Sequence, residues 1–333
     1  MILVTGGTGL VGSHLLYRLI SLGKEVVAIH RAQSDLSRVK KVFSFFSENA
    51  DTLFSKIKWI EADITDIPAL NTAFTGITHV YHSAAFISFD ASDNKLLRKI
   101  NIEGTANIVN LCIAHKVHKL CFVSSIATMG DKLFEGMVTE ESHWNPEADN
   151  NSYAISKYGA EMEVWRGSVE GVKTVIVNPG VILGAGFKDG SGKIFEVVQK
   201  GMKYYTQGLT GFVDVEDVAK AMTILMDSTL TNQRYILVAE NLTFKELMTR
   251  IAKEFNVRAP YLKAGPFILG VLWRSNWLWS KCTSKRPVFT RASVKAAVKK
   301  EHFSNHKIKK DLAFSFKPIY ESIHTICKNF TRN

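Results

Sequence analysis

The sequence has few cysteines and no long apolar run. Its 333 residues include four cysteines, no two of which form a CxxC pair. No histidine–cysteine cluster has the spacing of a zinc site, so the sequence predicts no metal. No apolar stretch reaches the roughly 18 residues that a membrane-spanning helix requires. No signal peptide precedes the first predicted strand, and these absences together predict a cytoplasmic protein with reduced thiols.

Acidic residues are outnumbered by basic ones. The chain has 42 lysines and arginines against 31 acidic residues, and much of the net charge of +11 lies late, in 281–291 and 295–310. A basic surface attracts nucleic acid, anionic lipid or an anionic substrate. No zinc finger, helix-turn-helix or RNP-like motif is present, so we predict no nucleic-acid partner and interpret the charge as a solvated face.

The first twelve residues read as strand, glycine turn and helix start. Residues 1–4 are apolar, the next eight contain a GxxGxxG pattern, and helical apolar spacing follows from Ser13. Glycines let a pyrophosphate approach the backbone, and a helix N-terminus offers it free N–H groups. The alternative is a tight turn without a ligand. The candidate pyrophosphate-binding residues are Gly6, Gly9, Leu10, Val11 and Gly12.

In NAD-binding units an acidic residue at the end of the second strand hydrogen-bonds the ribose 2′-hydroxyl, and the second predicted strand of this sequence has no such residue. His30 and Arg31 stand there instead. Arg31 and Arg38 are suited to hold a 2′-phosphate through charge-assisted hydrogen bonds. We therefore predict a preference for NADP, with NAD as the alternative if both arginines are only surface charges.

Strands and helices alternate along residues 1–240. This alternation predicts an α/β fold with a doubly wound parallel sheet, a Rossmann fold, in which ligands bind at the carboxyl ends of the strands. Helices are predicted over 39–53, 94–115, 151–170 and 243–255, the last with Thr243 as its cap. The candidate cofactor-binding residues at the other strand ends are Asp63, Ser83, Ala84, Ala85 and Ser124.

Tyr153 and Lys157 are four residues apart, so on a helix they share one face. A nearby ammonium lowers the pKa of a phenol, which makes such a pair a general acid and base for a substrate oxygen. Ser125, at the end of the fifth predicted strand, is placed to hydrogen-bond the same oxygen. By itself the YxxxK pattern also fits an ordinary helix with an exposed lysine.

Seven short motifs follow one another along the chain: TGGTGLVGSH, YHSAA, NIEGTANIV, VSSIAT, YAISK, NPGVILG and FVDVEDVAKA. In this order the chain resembles the extended short-chain dehydrogenase/reductases, also called the NAD-dependent epimerase/dehydratase family. The resemblance covers residues 1 to about 240. It implies a catalytic triad of Ser125, Tyr153 and Lys157, with Asn101 supporting a proton relay. It also implies an adenine site at Asp63 and Ile64, and cofactor contacts at Pro179 and Val181.

Within the family the chain is most similar to the dihydroflavonol 4-reductase and 3β-hydroxysteroid dehydrogenase branch, whose 2′-phosphate clamp has the spacing of Arg31 and Arg38. Asn178 and Val181 stand where sugar-nucleotide enzymes usually carry arginine and asparagine. The resemblance therefore implies an oxidoreductase that interconverts a carbonyl and a secondary alcohol. The apolar stretch 266–286 predicts that its small-molecule substrate is a hydrophobic ketone or alcohol. The alternatives are a nucleotide-sugar epimerase or dehydratase and a non-catalytic NADP-binding regulator.

The domain organisation follows from the same reading. Residues 1–180 form the dinucleotide-binding domain, to which 212–240 return. Residues 181–211 and 241–333 form a smaller, mostly helical region that binds substrate. Family members often dimerise through the helices beginning near Asn94 and Asn151, so the resemblance implies a homodimer.

Residues 266–286 are unusually apolar and rich in tryptophan. They are too few to span a bilayer. One hypothesis is an interfacial helix whose tryptophans lie at headgroup level while Lys281, Lys285 and Arg286 meet anionic lipid. We favour the alternative, a helix that covers the substrate pocket with an apolar aromatic wall.

Overall fold

The computed structural model of the protein describes residues 1–130, 136–283 and 290–330. Short apolar runs form its strands, and periodic apolar positions form its helices. The strands are β1 (Ile2–Thr5), β2 (Val26–His30), β3 (Lys58–Glu61), β4 (His79–His82), β5 (Lys119–Val123), β6 (Met137–Val138), β7 (Lys173–Pro179), β8 (Val181–Leu183), β9 (Tyr204–Tyr205), β10 (Leu209–Asp214), β11 (Gln233–Leu237), β12 (Glu240–Thr243), β13 (Leu262–Lys263) and β14 (His302–Phe303). The α-helices are α1 (Leu10–Ser21), α2 (Ser37–Ser44), α3 (Ala50–Phe54), α4 (Ile67–Ala73), α5 (Asn94–Leu97), α6 (Gly104–Ala114), α7 (Ser152–Val169), α8 (Gly192–Gln199), α9 (Val215–Asp227), α10 (Phe244–Glu254), α11 (Pro266–Thr283), α12 (Arg291–Ala296), α13 (His306–Leu312) and α14 (Ile319–Phe330).

Seven parallel strands form the central sheet, in the order β11-β7-β5-β4-β1-β2-β3. Leu3 has Val27 and Val80 as its register partners, and all three are almost fully buried, as expected for a sheet covered on both faces. The strand order reverses between β1 and β4. Open α/β sheets bind ligands at the carboxyl ends of their strands at such a point. The predicted doubly wound parallel sheet is confirmed.

Helices cover both faces of this sheet with separate apolar cores. On one face α1 and α9 pack together, with Leu16 and Met222 fully buried among sheet residues. On the other face α6 and α7 pack together, with Val109 and Val164 fully buried. The catalytic helix predicted from the sequence, α7, is therefore held against β5 and β7 by its apolar side.

A smaller unit adjoins the carboxyl ends of the main sheet. Its three strands run in the order β12-β10-β8, with β10 parallel to β8 and antiparallel to β12. A third apolar core joins them to α8, α10 and α14 through side chains such as Phe195, Leu247 and Ile323. This core draws on both segments of the predicted substrate region, and the domain boundaries themselves stay a prediction.

Two predicted helices differ in the structure. The prediction of one helix over 39–53 is wrong, because the chain leaves α2 at Ser44 and begins α3 at Ala50. Between them the Ser47 hydroxyl accepts a hydrogen bond from Asn49 N at 3.1 Å, a local bond that competes with the helix. The helix over 94–115 exists, but Arg98–Glu103 forms a π-helical turn between α5 and α6.

The cap of α10 is confirmed. Thr243 Oγ1 accepts a hydrogen bond from Glu246 N at 3.1 Å, and the Glu246 carboxylate accepts one from Thr243 N at 2.7 Å. Such a reciprocal pair satisfies two N–H groups that the first turn leaves open. Among the described residues, no helix combines the length and the apolar character that crossing a membrane requires.

Candidate active site

The glycine turn between β1 and α1 leaves no room for side chains. Gly6 has φ +70°, and a Cβ on it would lie 2.6 Å from Ala84 N. A Cβ on Gly12 would lie 2.1 Å from the carbonyl oxygen of Gly6. Gly9 then caps α1, whose first turn contains Leu10 and Val11 and no acidic residue. This bare backbone at a helix N-terminus fits a pyrophosphate, which needs close approach and N–H donors.

The segment after β4 is fastened beside this turn. Ser83 Oγ donates a hydrogen bond to Thr5 O at 2.7 Å, and Ala84 N donates one to Thr5 Oγ1 at 3.3 Å. Ala85 follows and is exposed. The small residues predicted to face a cofactor therefore do lie next to the glycine turn, at the point where the strand order reverses.

His82 is a buried residue of the site that the sequence analysis did not identify. Its Nδ1 lies 2.6 Å from Thr5 Oγ1, and its Nε2 lies 2.9 Å from Thr105 Oγ1. Burial, together with the charge of Lys157, lowers the pKa of His82 to about 3. This neutral ring joins the glycine-turn strand to α6. A histidine in an otherwise apolar strand end was the signal available in the sequence.

Ser125, Tyr153 and Lys157 come together at the carboxyl end of β5. The Ser125 hydroxyl lies close enough to the Tyr153 phenol to lower the pKa of that phenol. Lys157 lies one turn further along α7, where its Nζ donates to Val123 O at 2.9 Å and lies 4.3 Å from the centre of the Phe122 ring. The three side chains that the sequence analysis selected are thus neighbours in space.

The electrostatics of this trio differ from the expectation. Burial raises the pKa of Tyr153 to about 12, and the hydrogen bond from Ser125 opposes this rise. Burial also lowers the pKa of Lys157 to about 7, with Glu161 acting in the opposite direction. The expected lowering of the Tyr153 pKa by Lys157 is not found, because an amine with a pKa of about 7 is already neutral at the higher pH where the phenol ionises. Tyr153 is therefore protonated at neutral pH.

Glu161 is a second residue that the sequence analysis missed. It is fully buried on α7, one turn beyond Lys157. Its Oε2 accepts three hydrogen bonds, from Ser124 Oγ at 2.5 Å, Thr128 Oγ1 at 2.9 Å and Asn178 Nδ2 at 3.0 Å. Its Oε1 forms an ion pair with Arg234 at 3.2 Å.

This network fixes the strand ends that carry the trio. The side chain of Ser124, a predicted cofactor-binding residue, is bonded to Glu161, and that of Asn178 is directed to the same carboxylate. Asn178 Nδ2 also donates to Ser125 O at 3.2 Å. A glutamate four residues after Lys157 on the same helix face was the available signal.

Asn101 lies in the π-helical turn and is almost fully buried. Its Oδ1 accepts a hydrogen bond from Phe86 N at 2.7 Å, and its Nδ2 donates to Phe86 O and Ser156 Oγ, each at 2.9 Å. The side chain therefore joins the segment after β4 to α7 beside Lys157. Its expected part in a proton relay stays a prediction.

The residues predicted for the adenosine half lie at the ends of β2 and β3. Asp63 Oδ1 accepts two hydrogen bonds from Thr65, and the Ile64 side chain is buried. Arg31 is exposed one residue after β2, and its side chain makes no ion pair or hydrogen bond within the described residues. Arg38 instead pairs with Asp189 at 2.9 Å.

Pro179 and Val181 lie at the junction between the two sheets. Pro179 ends β7 as a register partner of Leu237, and Val181 begins β8 opposite Phe212. Pro179 is buried and Val181 half-buried. Within the ranges described, no group of three or more histidine, cysteine, aspartate or glutamate side chains is arranged to hold a metal ion.

The predicted pocket wall at 266–286 does not match the exposure of α11. Phe267 is 84% exposed and Val271 52% exposed. Lys285 and Arg286 lie outside the described residues, as does the side chain of Lys281.

Comparisons with known proteins agree with this geometry. The chain is 26% identical to sterol demethylase protein B of Methylococcus capsulatus over 74% of its length and 72% of that protein. It is 28% identical to a putative dihydroflavonol 4-reductase of Synechocystis over 77% of its length and 73% of that protein. Its fold matches a UDP-glucose 4-epimerase of Thermotoga maritima with a TM-score of 0.78 and 20% identity, covering 99% of this chain and 98% of that one. At that identity the likeness shows the fold alone.

A family model described as the NAD dependent epimerase/dehydratase family matches residues 2–238. The match spans the central sheet, the glycine turn and α7, which are the parts that the seven sequence motifs singled out. The chain therefore belongs to the NAD dependent epimerase/dehydratase family and is an enzyme of the NAD(P)-dependent, extended short-chain dehydrogenase/reductase type.

Proposed function

We propose that the protein is an NADP-preferring oxidoreductase that interconverts a carbonyl group and a secondary alcohol on a hydrophobic small molecule. The observation that carries this proposal is the proximity of Ser125 to the Tyr153 phenol, with Lys157 one helical turn away and bonded to Val123 O at the end of β5. When bound, a nicotinamide cofactor supplies or accepts the hydride. The protein's own residues position the substrate oxygen and move its proton.

Tyr153 is suited to act as the proton donor in the reductive direction. Because its pKa is about 12, the phenol keeps its proton at neutral pH and can give it to a developing alkoxide, which is a stronger base. Ser125 orients the same oxygen by hydrogen bonding. Lys157, with a pKa of about 7, is partly charged at neutral pH, and its charge favours the phenolate that remains.

The fit of the glycine turn supports a dinucleotide, and Arg31 supports the phosphorylated form. A methyl group on Gly12 would collide with the carbonyl oxygen of Gly6. Only glycine at this position therefore keeps the turn in the shape that lets a ligand approach its backbone. Arg31, exposed at the end of β2, is available to a 2′-phosphate. Arg38 would have to leave Asp189 to join it.

The hydrophobic substrate class is supported by two observations. The two curated relatives are named for a sterol and a dihydroflavonol, both largely apolar. Asn178 occupies a position where sugar-nucleotide enzymes usually carry arginine, and its Nδ2 is bonded to Glu161 and to Ser125 O. A nucleotide-sugar epimerase or dehydratase is the rival function within the same family.

Calorimetric titration of NADPH and NADH tests the cofactor preference. We expect the wild type to bind NADPH more tightly and Arg31→Asp to lose that preference, since an aspartate repels the 2′-phosphate and accepts from a 2′-hydroxyl. Asp189→Asn is the matched variant, because it releases Arg38 and should tighten NADPH without changing NADH. Equal affinity for both cofactors in the wild type contradicts the preference.

Consumption of NADPH with a panel of hydrophobic ketones tests the reaction. Tyr153→Phe should lower kcat/KM by about 10²–10⁴-fold and leave the Kd for NADPH unchanged, because only the proton donor is removed. Tightly retained NAD together with specific UDP-sugar binding favours the epimerase or dehydratase instead. NADPH binding without turnover of any carbonyl compound favours a non-catalytic regulator.

We also propose a homodimer that packs α5–α6 and α7 against their counterparts, in a protein of the cytoplasm. Exposed apolar side chains on these helices support it: Leu96 is 39% exposed, Ile155 52% and Met162 36%. Light scattering of the wild type and of Ile155→Glu tests this proposal. We expect the variant to be monomeric, and a monomeric wild type contradicts it.

A further inference from the structure

One stretch of the sequence carries nearly all of the net charge. Between Glu254 and Glu301 there is no acidic residue, although the whole chain has 31. The same stretch contains ten lysines and arginines, against a net charge of +11 for the chain. We call residues 255–300 the basic arm. Its ten basic residues are Arg258, Lys263, Arg274, Lys281, Lys285, Arg286, Arg291, Lys295, Lys299 and Lys300.

The helix α11 of this arm exposes an apolar face. Phe267, Val271 and Trp279 are 84%, 52% and 53% exposed, and they lie along one side of the helix at intervals of four and eight residues. Ile268 and Leu272, on the same side, are also exposed. A soluble helix normally buries its apolar stripe, whereas in the part of the chain that the structure describes Phe267 and Val271 stay largely exposed.

The opposite side of α11 does contact the protein. Leu269 is only 8% exposed and Ala264, just ahead of the helix, is 7% exposed. The helix is thus anchored by one side and presents the other outward. Arg274 lies at the edge of the apolar face, where its guanidinium is 4.6 Å from the Trp273 ring centre. A cation is attracted to the face of an aromatic ring, and arginine can lay its apolar stem on an apolar surface while its charged end stays in water.

Some of the arm's charge is already neutralised within the protein. Lys295 pairs with Asp149 at 2.7 Å, and Lys299 pairs with Glu301 at 2.7 Å. Arg258 lies over the Tyr261 ring at 3.9 Å and remains a cation. These two ion pairs leave the arm with a positive excess in its sequence.

We propose that α11 docks the protein on an anionic lipid surface, with its apolar face in the headgroup layer and the basic arm against the lipid phosphates. Charge complementarity selects this occupant. A second copy of the chain would bring two acid-free basic arms together, and like charges repel. Nucleic acid would match the charge but would leave the apolar face exposed to water. An anionic lipid surface satisfies both features.

Co-sedimentation with vesicles tests the proposal without using enzymatic activity. The probes are vesicles of phosphatidylcholine alone and of phosphatidylcholine mixed with phosphatidylglycerol. We expect the wild type to sediment with the mixed vesicles at low salt and to be released as salt screens the charges. The variant carrying Phe267→Glu and Val271→Glu should bind at least about tenfold more weakly.

Leu22→Glu is the matched control, because Leu22 is 51% exposed at the end of α1 and lies outside both the basic arm and the helices of the proposed dimer. It should bind like the wild type. Circular dichroism melting shows whether the double variant is folded, since both replaced side chains face solvent.

Three outcomes overturn the proposal. The first is a wild type that does not sediment with the mixed vesicles at low salt. The second is equal binding of the wild type and the double variant. The third is a dimeric wild type that becomes monomeric in the double variant by light scattering, because the face is then an interface between copies of the chain.

Discussion

The glycine turn is tightly packed inside the protein, whereas the helix of the basic arm is largely exposed to solvent. In the turn, a Cβ on Gly12 would lie 2.1 Å from a backbone oxygen. In the arm, a Cβ on Gly265 would meet nothing within 4 Å. Next to the turn Leu16 is fully buried, whereas on α11 Phe267 is 84% exposed. One region is specified by its packing inside the protein, and the other has an apolar surface whose partner lies outside it.

The largest expected effect compares the two glycines. Gly12→Ala should weaken NADPH binding by about 100-fold or more, because the methyl group forces apart the backbone that holds the pyrophosphate, and overpacking costs about 1–3 kcal/mol of stability in addition. Gly265→Ala should change the free energy of unfolding by less than about 0.5 kcal/mol. Calorimetry and urea unfolding measure both. Normal NADPH binding by the Gly12→Ala variant would show that the turn tolerates a side chain.

The next comparison concerns apolar burial. Leu16→Ala removes a fully buried side chain from the core beside α9 and should lower the free energy of unfolding by about 3 kcal/mol. Phe267→Ala removes a larger side chain and should change it by less than about 0.5 kcal/mol, because that side chain stays in water in both states. Urea unfolding followed by circular dichroism distinguishes them. A comparable loss in both variants would mean that α11 is covered in solution.

A third comparison stays within α7. Glu161→Gln should lower the free energy of unfolding by about 2 kcal/mol. The glutamine amide cannot form the ion pair with Arg234, and its NH2 group would face hydrogen-bond donors instead of acceptors. Glu163→Gln breaks only the exposed pair with Arg166 and should cost about 0.5 kcal/mol or less. Glu161 also raises the pKa of Lys157, so the first variant should shift the pH–rate profile and the second should not. If the pH–rate profile is unchanged in both variants, Glu161 has only a structural role.

Two buried histidines create a pH dependence of stability that is small near pH 7 and grows as the pH falls. Burial lowers the pKa of His14 to about 4 and that of His82 to about 3, from an ordinary value of 6.5. Below pH 6.5 the unfolded chain therefore takes up protons that the folded protein does not. Stability is lost as pH falls from 6.5 toward 4, by roughly 1.4 kcal/mol per pH unit for each histidine.

Urea unfolding at pH 7, 6 and 5 measures this slope. His14→Gln should reduce it by one proton, while His306→Gln, at an exposed C-terminal position, should leave it unchanged. A slope that the His14→Gln variant shares with the wild type would show that His14 titrates normally in the folded protein.

Local patterns predicted much of the fold. The GxxGxxG turn, the alternation of strands and helices and the Thr243 cap all depend on neighbours within a few residues, and all are found in the structure. The break between α2 and α3 was missed, since a single serine–asparagine hydrogen bond decides it. Periodicity over fifteen residues averages out such a local interruption.

The site divides in the same way. Sequence spacing selected Ser125, Tyr153 and Lys157, because one pair shares a helix face and the serine ends a strand. It could not show that Arg38 pairs with Asp189, 151 residues away, or that Lys157 bonds to Val123 O. Those contacts join separate elements, so no local pattern records them.

The sequence by itself determined the parallel sheet, the glycine turn and the choice of candidate side chains, because these follow from periodicity, glycine and residue chemistry at short spacing. Tertiary structure alone decided the protonation of those side chains and the exposure of α11. Burial depends on which elements pack together, and it raises the pKa of Tyr153 while it lowers that of Lys157. The same packing leaves the apolar face of α11 uncovered, where the sequence had favoured the wall of a pocket.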